Sequence, residues 1–466
     1  MKPLPAPLTR RWLLAAAGTL MLAACAGGPS VSNPSAAELP PVVFVHGNGD
    51  TAALWHTTLW RFESNGWPRE RLHAIDLPYP LARDADDQPQ AGRTSTTEHM
   101  QYLSAEVDKV LKATGARKVA LVGNSRGGNA IRNYIANGGG AAKVSHAVIG
   151  GGTSHGVWNN PGFRPSNEFN GASPFLTALN NQNGAGGGEV TAGLKWMTIR
   201  SDNNDKFAQP DGVWIGTKGT PTNVTFDGPA LKGAENIVIN GIDHRETSFS
   251  PKAFEHAYRF ITGKAPATLA ITPEAKLMLD GKVSGQGLNN TDGGYVNNLP
   301  LTGATLEVFA TNAASGERNG AAVHRKTLVA DGMWGPFSAD AKATYEFVIS
   351  MPGYATTHIY RAPFARSSNI VNLRAERLAD ADKSAGSVLS FTRPRGYFGV
   401  PRDTFSFDGI SPPPGVPPGV AGVAQSKLKL ADAPARAIVA EFNGERIVGR
   451  AWPAAENRVV LIELHQ

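Results

Sequence analysis

Residues 118–130 read KVALVGNSRGGNA. Val119–Val122 has the length and apolar content of a buried strand, and from Arg126 the pattern turns helical. Between them stands Gly123-Asn124-Ser125-Arg126-Gly127, a G-x-S-x-G sequence with strand before and helix after. The glycines have a steric reason, because strand and helix come so close at such a turn that a Cβ would clash. The turn lifts the Ser125 hydroxyl clear of the sheet and aims the following amide into the same space. A chain built around it is committed to packing a helix on a sheet.

The flanking sequence extends that architecture. VVFVH (Val42–His46), LHAIDLPYP (Leu72–Pro80), AVIG (Ala147–Gly150), LKWMTIR (Leu194–Arg200) and NIVIN (Asn236–Asn240) read as strands. STTEHMQYLSAEVDKVLKATGA reads as a helix, with Ser95 and Glu98 forming a capping box and Met100, Leu103, Val107 and Val110 on one face. The alternation over 41–266 predicts an α/β domain, a mostly parallel sheet covered by helices on both faces. Residues 151–193 break the rhythm. They are rich in Gly and Asn, with Trp158, Phe163, Phe169 and Phe175 scattered among them, and an insertion of that length is expected to be functional.

Beyond Ala267 helical periodicity disappears. TLEVFATN and TYEFVISMPGY alternate like strands, with Tyr345, Phe347 and Ile349 on one face, and IVAEFNGERIVGRAW places Asn443-Gly444 at a hairpin turn. A C-terminal all-β region is expected, divided into units at 267–375 and 376–466. At 466 residues the chain is too long for one core, in keeping with several domains.

The N-terminus has a basic start, an apolar run from Trp12 to Ala24 and then small residues, the order of features in an export signal. Arg10-Arg11 resembles a twin-arginine signal. Leu22-Ala23-Ala24-Cys25 resembles the lipobox of bacterial lipoproteins, which implies residues 1–25 as signal, lipidation at Cys25, a tether over 26–40 and a membrane partner through that anchor. Ala26 after the cysteine implies the outer membrane by the same resemblance. A soluble secreted protein cleaved near Ala26 is the alternative. Cys25 is the single cysteine, so no intramolecular disulfide is available. Lys2, Arg10 and Arg11 account for three of the six net positive charges, which leaves no basic block and argues against a nucleic-acid partner.

A serine hydroxyl is a poor nucleophile until a base takes its proton. On a strand–elbow–helix framework the partners follow in the order Ser, Asp or Glu, His. His244, in the loop after the last expected strand, is the candidate base, ahead of His146, His155 and His256. RSDNNDKFAQP offers Asp202 and Asp205 as the acid; Asp243 points elsewhere. The amides of Arg126 and Asn48 are the candidate oxyanion donors, with the His46 side chain holding the Asn48 loop. No metal-ligand spacing is present and no cofactor is implied.

Together VVFVHGNG…W, VALVGNSRGG, RSDNNDKFAQP and GIDH resemble bacterial and archaeal α/β-hydrolase lipases over residues 41–262. The resemblance implies the α/β-hydrolase fold, an ester substrate, and Asp205 over Asp202, because DKFAQP is similar to the acid loop of secreted lipases. Strand, ADG, strand and PGY in the β-rich region are similar to transthyretin-like modules, and archaeal long-chain lipases also carry such a region. Two departures stand out: Asn124 precedes the serine where many such lipases carry His, and 151–193 lacks an obvious lid helix. The expected activity is a serine esterase or lipase of the cell envelope or exterior. Alternatives are a polyester depolymerase, an amide hydrolase or acyltransferase, and a non-catalytic envelope binding protein. With no triad candidate, the β-rich region is expected to serve insoluble substrates, with Trp334, Tyr354 and Tyr397 as candidate surface aromatics.

Overall fold

A computed structural model describes Met1 and residues 39–184, 186–285, 296–433 and 436–466. Cys25, the apolar run and the tether lie outside the described residues. No helix among those described is long and apolar enough to cross a membrane.

The first half is built on a six-stranded sheet. Its strands are β1 (Val42–Val45), β2 (Leu72–Ile75), β3 (Val119–Asn124), β4 (Val144–Gly150), β5 (Lys195–Ser201) and β6 (Glu235–Ile239). They lie in the order β2-β1-β3-β4-β5-β6, all parallel. The main helices are α1 (His56–Ser64), α2 (Thr96–Thr114), α3 (Arg126–Asn137), α4 (Pro174–Asn180), α5 (Glu246–Phe249) and α6 (Pro251–Thr262). The expected capping box is made: Ser95 Oγ accepts from Glu98 N, and the Glu98 carboxylate accepts from Ser95 N. Gly115 ends α2 in the left-handed conformation, φ 66°. Leu103 and Val107 of α2 are fully buried against Val43, Leu121 and Ile131. Each such side chain contributes about 1.5–3 kcal/mol by leaving water.

Parallel strands send their carboxyl ends to one edge, and the connections reverse direction between β1 and β3. That reversal opens a crevice where ligands bind in open α/β sheets. All the candidate catalytic residues lie on loops that leave the sheet at this edge.

The β-rich half differs from expectation in one respect. The units expected at 267–375 and 376–466 share a seven-stranded sheet. Thr356–Arg361 from the first range pairs in parallel with Arg458–Glu463, which pairs in turn with Ser387–Thr392. Alternation along each strand predicts which face is buried, but leaves open which strand lies beside it. The Asn443-Gly444 hairpin forms as expected, with both residues at positive φ (44° and 91°) and Phe442 paired to Glu445.

Residues Pro40–Gln466 constitute one compact unit, so the two halves share a core. Trp60 of α1 is buried among Leu277, Phe347 and Phe364 of the β-rich half, and its indole N–H donates to Ser367 O at 2.9 Å. Around it Arg69 and Arg366 bridge Glu63 and Glu274. Trp334 is fully buried and donates to Val371 O, so it is core and no surface aromatic.

Candidate active site

The glycines at the elbow are required by space. A Cβ on Gly123 would stand 2.6 Å from Ile131 Cδ1, and one on Gly127 would run into the carbonyls of Val45 and His46. With both neighbours so close, Ser125 is forced to φ 54°, ψ −123°, a sparsely populated region that costs about 1–3 kcal/mol for a side-chain-bearing residue. Its amide donates to Gly150 O at 2.9 Å, which fixes the turn to β4.

Strand register brings the remaining candidates together. Ser201 of β5 pairs with Ile239 of β6, so the loops that follow leave the sheet side by side. Asp205 and His244 meet there, both buried, with His244 Nδ1 at 2.8 and 2.9 Å from the two carboxylate oxygens. Asp205 Oδ1 also accepts from Phe207 N at 2.8 Å. The Gln209 amide donates to Asp205 O and Asn203 O, so the glutamine of DKFAQP shapes the acid loop. His244 Nε2 is buried and has no hydrogen-bond partner among the described residues.

Asp202 has a different task. Its carboxylate accepts from Gly241 N and Asn203 N and from Ser201 Oγ, tying the end of β5 to the loop after β6. Partial burial opposes ionisation there, but these hydrogen bonds outweigh it and hold the Asp202 carboxyl below its usual range. The fully buried Asp243 accepts from the Arg245 and Glu246 amides and bonds Arg393, pointing away from His244 as expected.

The other histidines serve elsewhere. His146 lies towards the opposite end of β4, where burial, helped by Lys195, pushes it down to about 4. His155 bonds Gly228 O and Glu189. Buried His46 bonds Gly47 O through Nδ1 and accepts the Leu77 amide at Nε2, holding the loop after β1. That loop passes over the serine so closely that a Cβ on Gly47 would lie 3.1 Å from Ser125 Cβ. The amides of Asn48 and Arg126 donate to no group among the described residues. The first amide of a helix has no intrahelical acceptor, which leaves that of Arg126 free for a ligand.

Ser125, His244, Asn48 and Asp50 open onto a cavity of ≈ 180 Å³. Val157, Trp158 and Phe169 from the 151–193 segment line it together with Phe207, Ile215 and Tyr397. The segment is anchored beneath the serine's helix by Glu168, which pairs with the buried Arg126 guanidinium at 2.7 Å. Burial pushes the Glu168 carboxyl up, and Arg126 opposes that rise. Arg126 also donates to the carbonyls of Pro80 and Thr94, so its side chain clamps two loops around the site while its amide stays free.

Two contributors were not assigned this work from sequence. Asn124 Nδ2 stands 2.8 Å from Ser248 Oγ and 3.2 Å from both Gly150 O and His244 O, so it holds the His244 backbone. Its departure from the familiar His at that position was the available signal. Tyr397, expected as a surface aromatic, is 6% exposed and lines the cavity. Nothing local to its sequence places it there. Among the described residues no group of three or more His, Cys, Asp or Glu is arranged to hold a metal ion.

Comparison with known proteins bears on both halves. Residues 40–159 match the family model for Lipase (class 2), and residues 275–378 match that for the Lipase C-terminal domain. A curated relative, a non-heme chloroperoxidase of Burkholderia pyrrocinia, is 26% identical over 114 residues, which is 24% of this chain and 37% of that protein. Among solved structures, Aspergillus fumigatus lipase B aligns at TM-score 0.36 and 15% identity, covering 50% of this chain and 54% of its own. Bacillus licheniformis lipase BlEst2 in propeptide form aligns at 0.37 and 15%, covering 68% and 91%. One model falls on the half that carries Ser125 and the other on the β-rich half behind it, so the parallel-sheet half is similar to class 2 lipases and the β-rich half to the lipase C-terminal domain.

Proposed function

We propose that the protein hydrolyses carboxylic esters through an acyl-enzyme, with Ser125 as nucleophile, His244 as base and Asp205 as the acid that orients it. The observation that carries this reading is the Asp205–His244 pair, whose Nε2 is left unpartnered beside the cavity that Ser125 enters. The carboxylate accepts the proton on Nδ1, so Nε2 keeps a lone pair for the serine proton. Ser125 Oγ then attacks the ester carbonyl, and the negative oxygen that forms is met by the Asn48 and Arg126 amides. Collapse expels the alcohol, which takes the proton from His244. Water, deprotonated by the same nitrogen, releases the acid and restores the serine.

Wild-type protein is expected to hydrolyse p-nitrophenyl esters and to take up a fluorophosphonate on Ser125, read by peptide mass mapping. Absence of turnover across the ester series, or a label located elsewhere, overturns the proposal. Emulsified triglyceride and a polyester film run alongside separate a lipase from a depolymerase.

The export features are also part of this reading. Lipidation at Cys25 would hold the domain at the cell envelope, with 26–40 as tether. Cys25→Ser is then expected to move the protein from the membrane fraction to the soluble one with ester turnover unchanged. Wild-type protein recovered wholly soluble, with no lipid on the Cys25 peptide, removes the anchor.

A further inference from the structure

The β-rich half reaches the candidate active site at both the loop that bears His244 and the loop that bears Asp205. Arg393 and Arg402 close on the loop that bears His244. Arg393 Nη1 bonds Asp243 at 2.8 Å and its Nη2 bonds Glu246 at 2.6 Å, while Arg402 Nη1 bonds Glu246 at 2.7 Å. A second β-rich loop closes on the acid. Ala421 N donates to Asn204 Oδ1 at 3.0 Å, and Lys206 Nζ donates to Gly422 O at 2.8 Å. The residues on either side of Asp205 and His244 are therefore held by chain some 150–220 positions away.

Between these two grips stands Tyr397. Its amide donates to Asp243 Oδ2 at 2.8 Å, and its carbonyl accepts from Arg393 and Arg402. The ring lies under Lys206 Nζ at 3.9 Å from its centre and Arg245 Cζ at 4.8 Å. Arg245 is itself paired with Asp50. A ring held by two cations and by both of its backbone groups is a rigid wall. With Phe207 and Trp158 it lines a cavity of ≈ 180 Å³, below the roughly 300–1,000 Å³ typical of pockets for drug-sized ligands.

Resting on the ester-hydrolase reading, we propose that Tyr397 is a specificity-determining residue, a wall contributed by the C-terminal domain that restricts the site to esters of short acyl groups. Apart from the reacting groups, Asp50, which is paired with Arg245, and Thr153, which is bonded to Asn129, the lining is aliphatic or aromatic and suits an acyl chain. Its discrimination is steric, and the excess methylenes of a long chain meet the Tyr397 ring. The same wall makes the β-rich half necessary for soluble short-chain esters as well as for interfaces, because the cavity is incomplete without it.

The test is the ratio of kcat/KM for p-nitrophenyl octanoate to that for the butyrate in the full-length protein. Tyr397→Ala is expected to raise this ratio about tenfold or more, the scale on which apolar pockets discriminate methylenes. Tyr397→Trp is expected to lower it, and Tyr397→Phe to return it to the wild-type value. The three variants guard against misfolding, since general loosening moves Tyr397→Ala and Tyr397→Trp in the same direction. A shift of the same sign in both overturns the inference. So does an unmoved ratio in a Tyr397→Ala protein with native circular dichroism. Wild type inactive on every ester removes the hydrolase reading and this inference with it, whereas an active wild type with unmoved ratios removes only the inference.

Discussion

Ser125→Ala is expected to lower kcat for p-nitrophenyl ester hydrolysis by about 10⁶, the scale seen when a triad nucleophile is removed from a protease. Alanine keeps the Cβ, so the backbone at φ 54° bears the same strain and the elbow keeps its packing against Gly47 and β4. Only Oγ is lost, and with it the atom that forms the acyl-enzyme. Melting temperature and circular dichroism should match wild type, and fluorophosphonate labelling should vanish. A folded Ser125→Ala protein that retains turnover within tenfold of wild type would exclude the serine mechanism.

The second large effect falls on the acid. Asp205→Asn is expected to lower kcat by about 10⁴ with little change of structure. An amide that donates to His244 Nδ1 forces the ring proton onto Nε2, and a protonated Nε2 cannot accept the serine proton. Asp202→Asn is the matched control, three positions away in the same loop. Its carboxylate bonds the Gly241 and Asn203 amides and is not a partner of His244. The control should cost about 1 kcal/mol of stability through weakened hydrogen bonds and leave most of kcat in place. Steady-state kinetics with thermal melts on both variants decide the matter, and a reversal of the two effects would make Asp202 the acid.

Much of the first half was legible because its signals are local. Periodicity identifies β1 to β6 and α2, capping chemistry locates the start of α2 at Ser95, and the glycines around Ser125 announce a close approach that the Cβ positions bear out. The pairing of Asp205 with His244 was also within reach, since residues just past adjacent parallel strands must share an edge of the sheet. Asn124 was noticed only as a departure from a familiar pattern. Its work on the His244 carbonyl depends on a contact across 120 positions.

Sequence alone determined where the strand–elbow–helix turn falls, which residues alternate into a buried face, and that the C-terminal half is β-rich. These properties depend on neighbours within a few positions, where sterics and hydrogen-bond geometry leave few choices. The tertiary structure alone decided that both β-rich units join in one sheet, that Trp60 anchors them to α1, and that Tyr397 is a wall of the cavity instead of a surface aromatic. Periodicity tells a residue which face is buried, but the partner for that face is chosen by packing and charge pairing between segments far apart in the chain. Arg393 meeting Asp243 is such a choice: each is an ordinary charged residue in sequence, and burial together makes them the clamp on which Tyr397 stands.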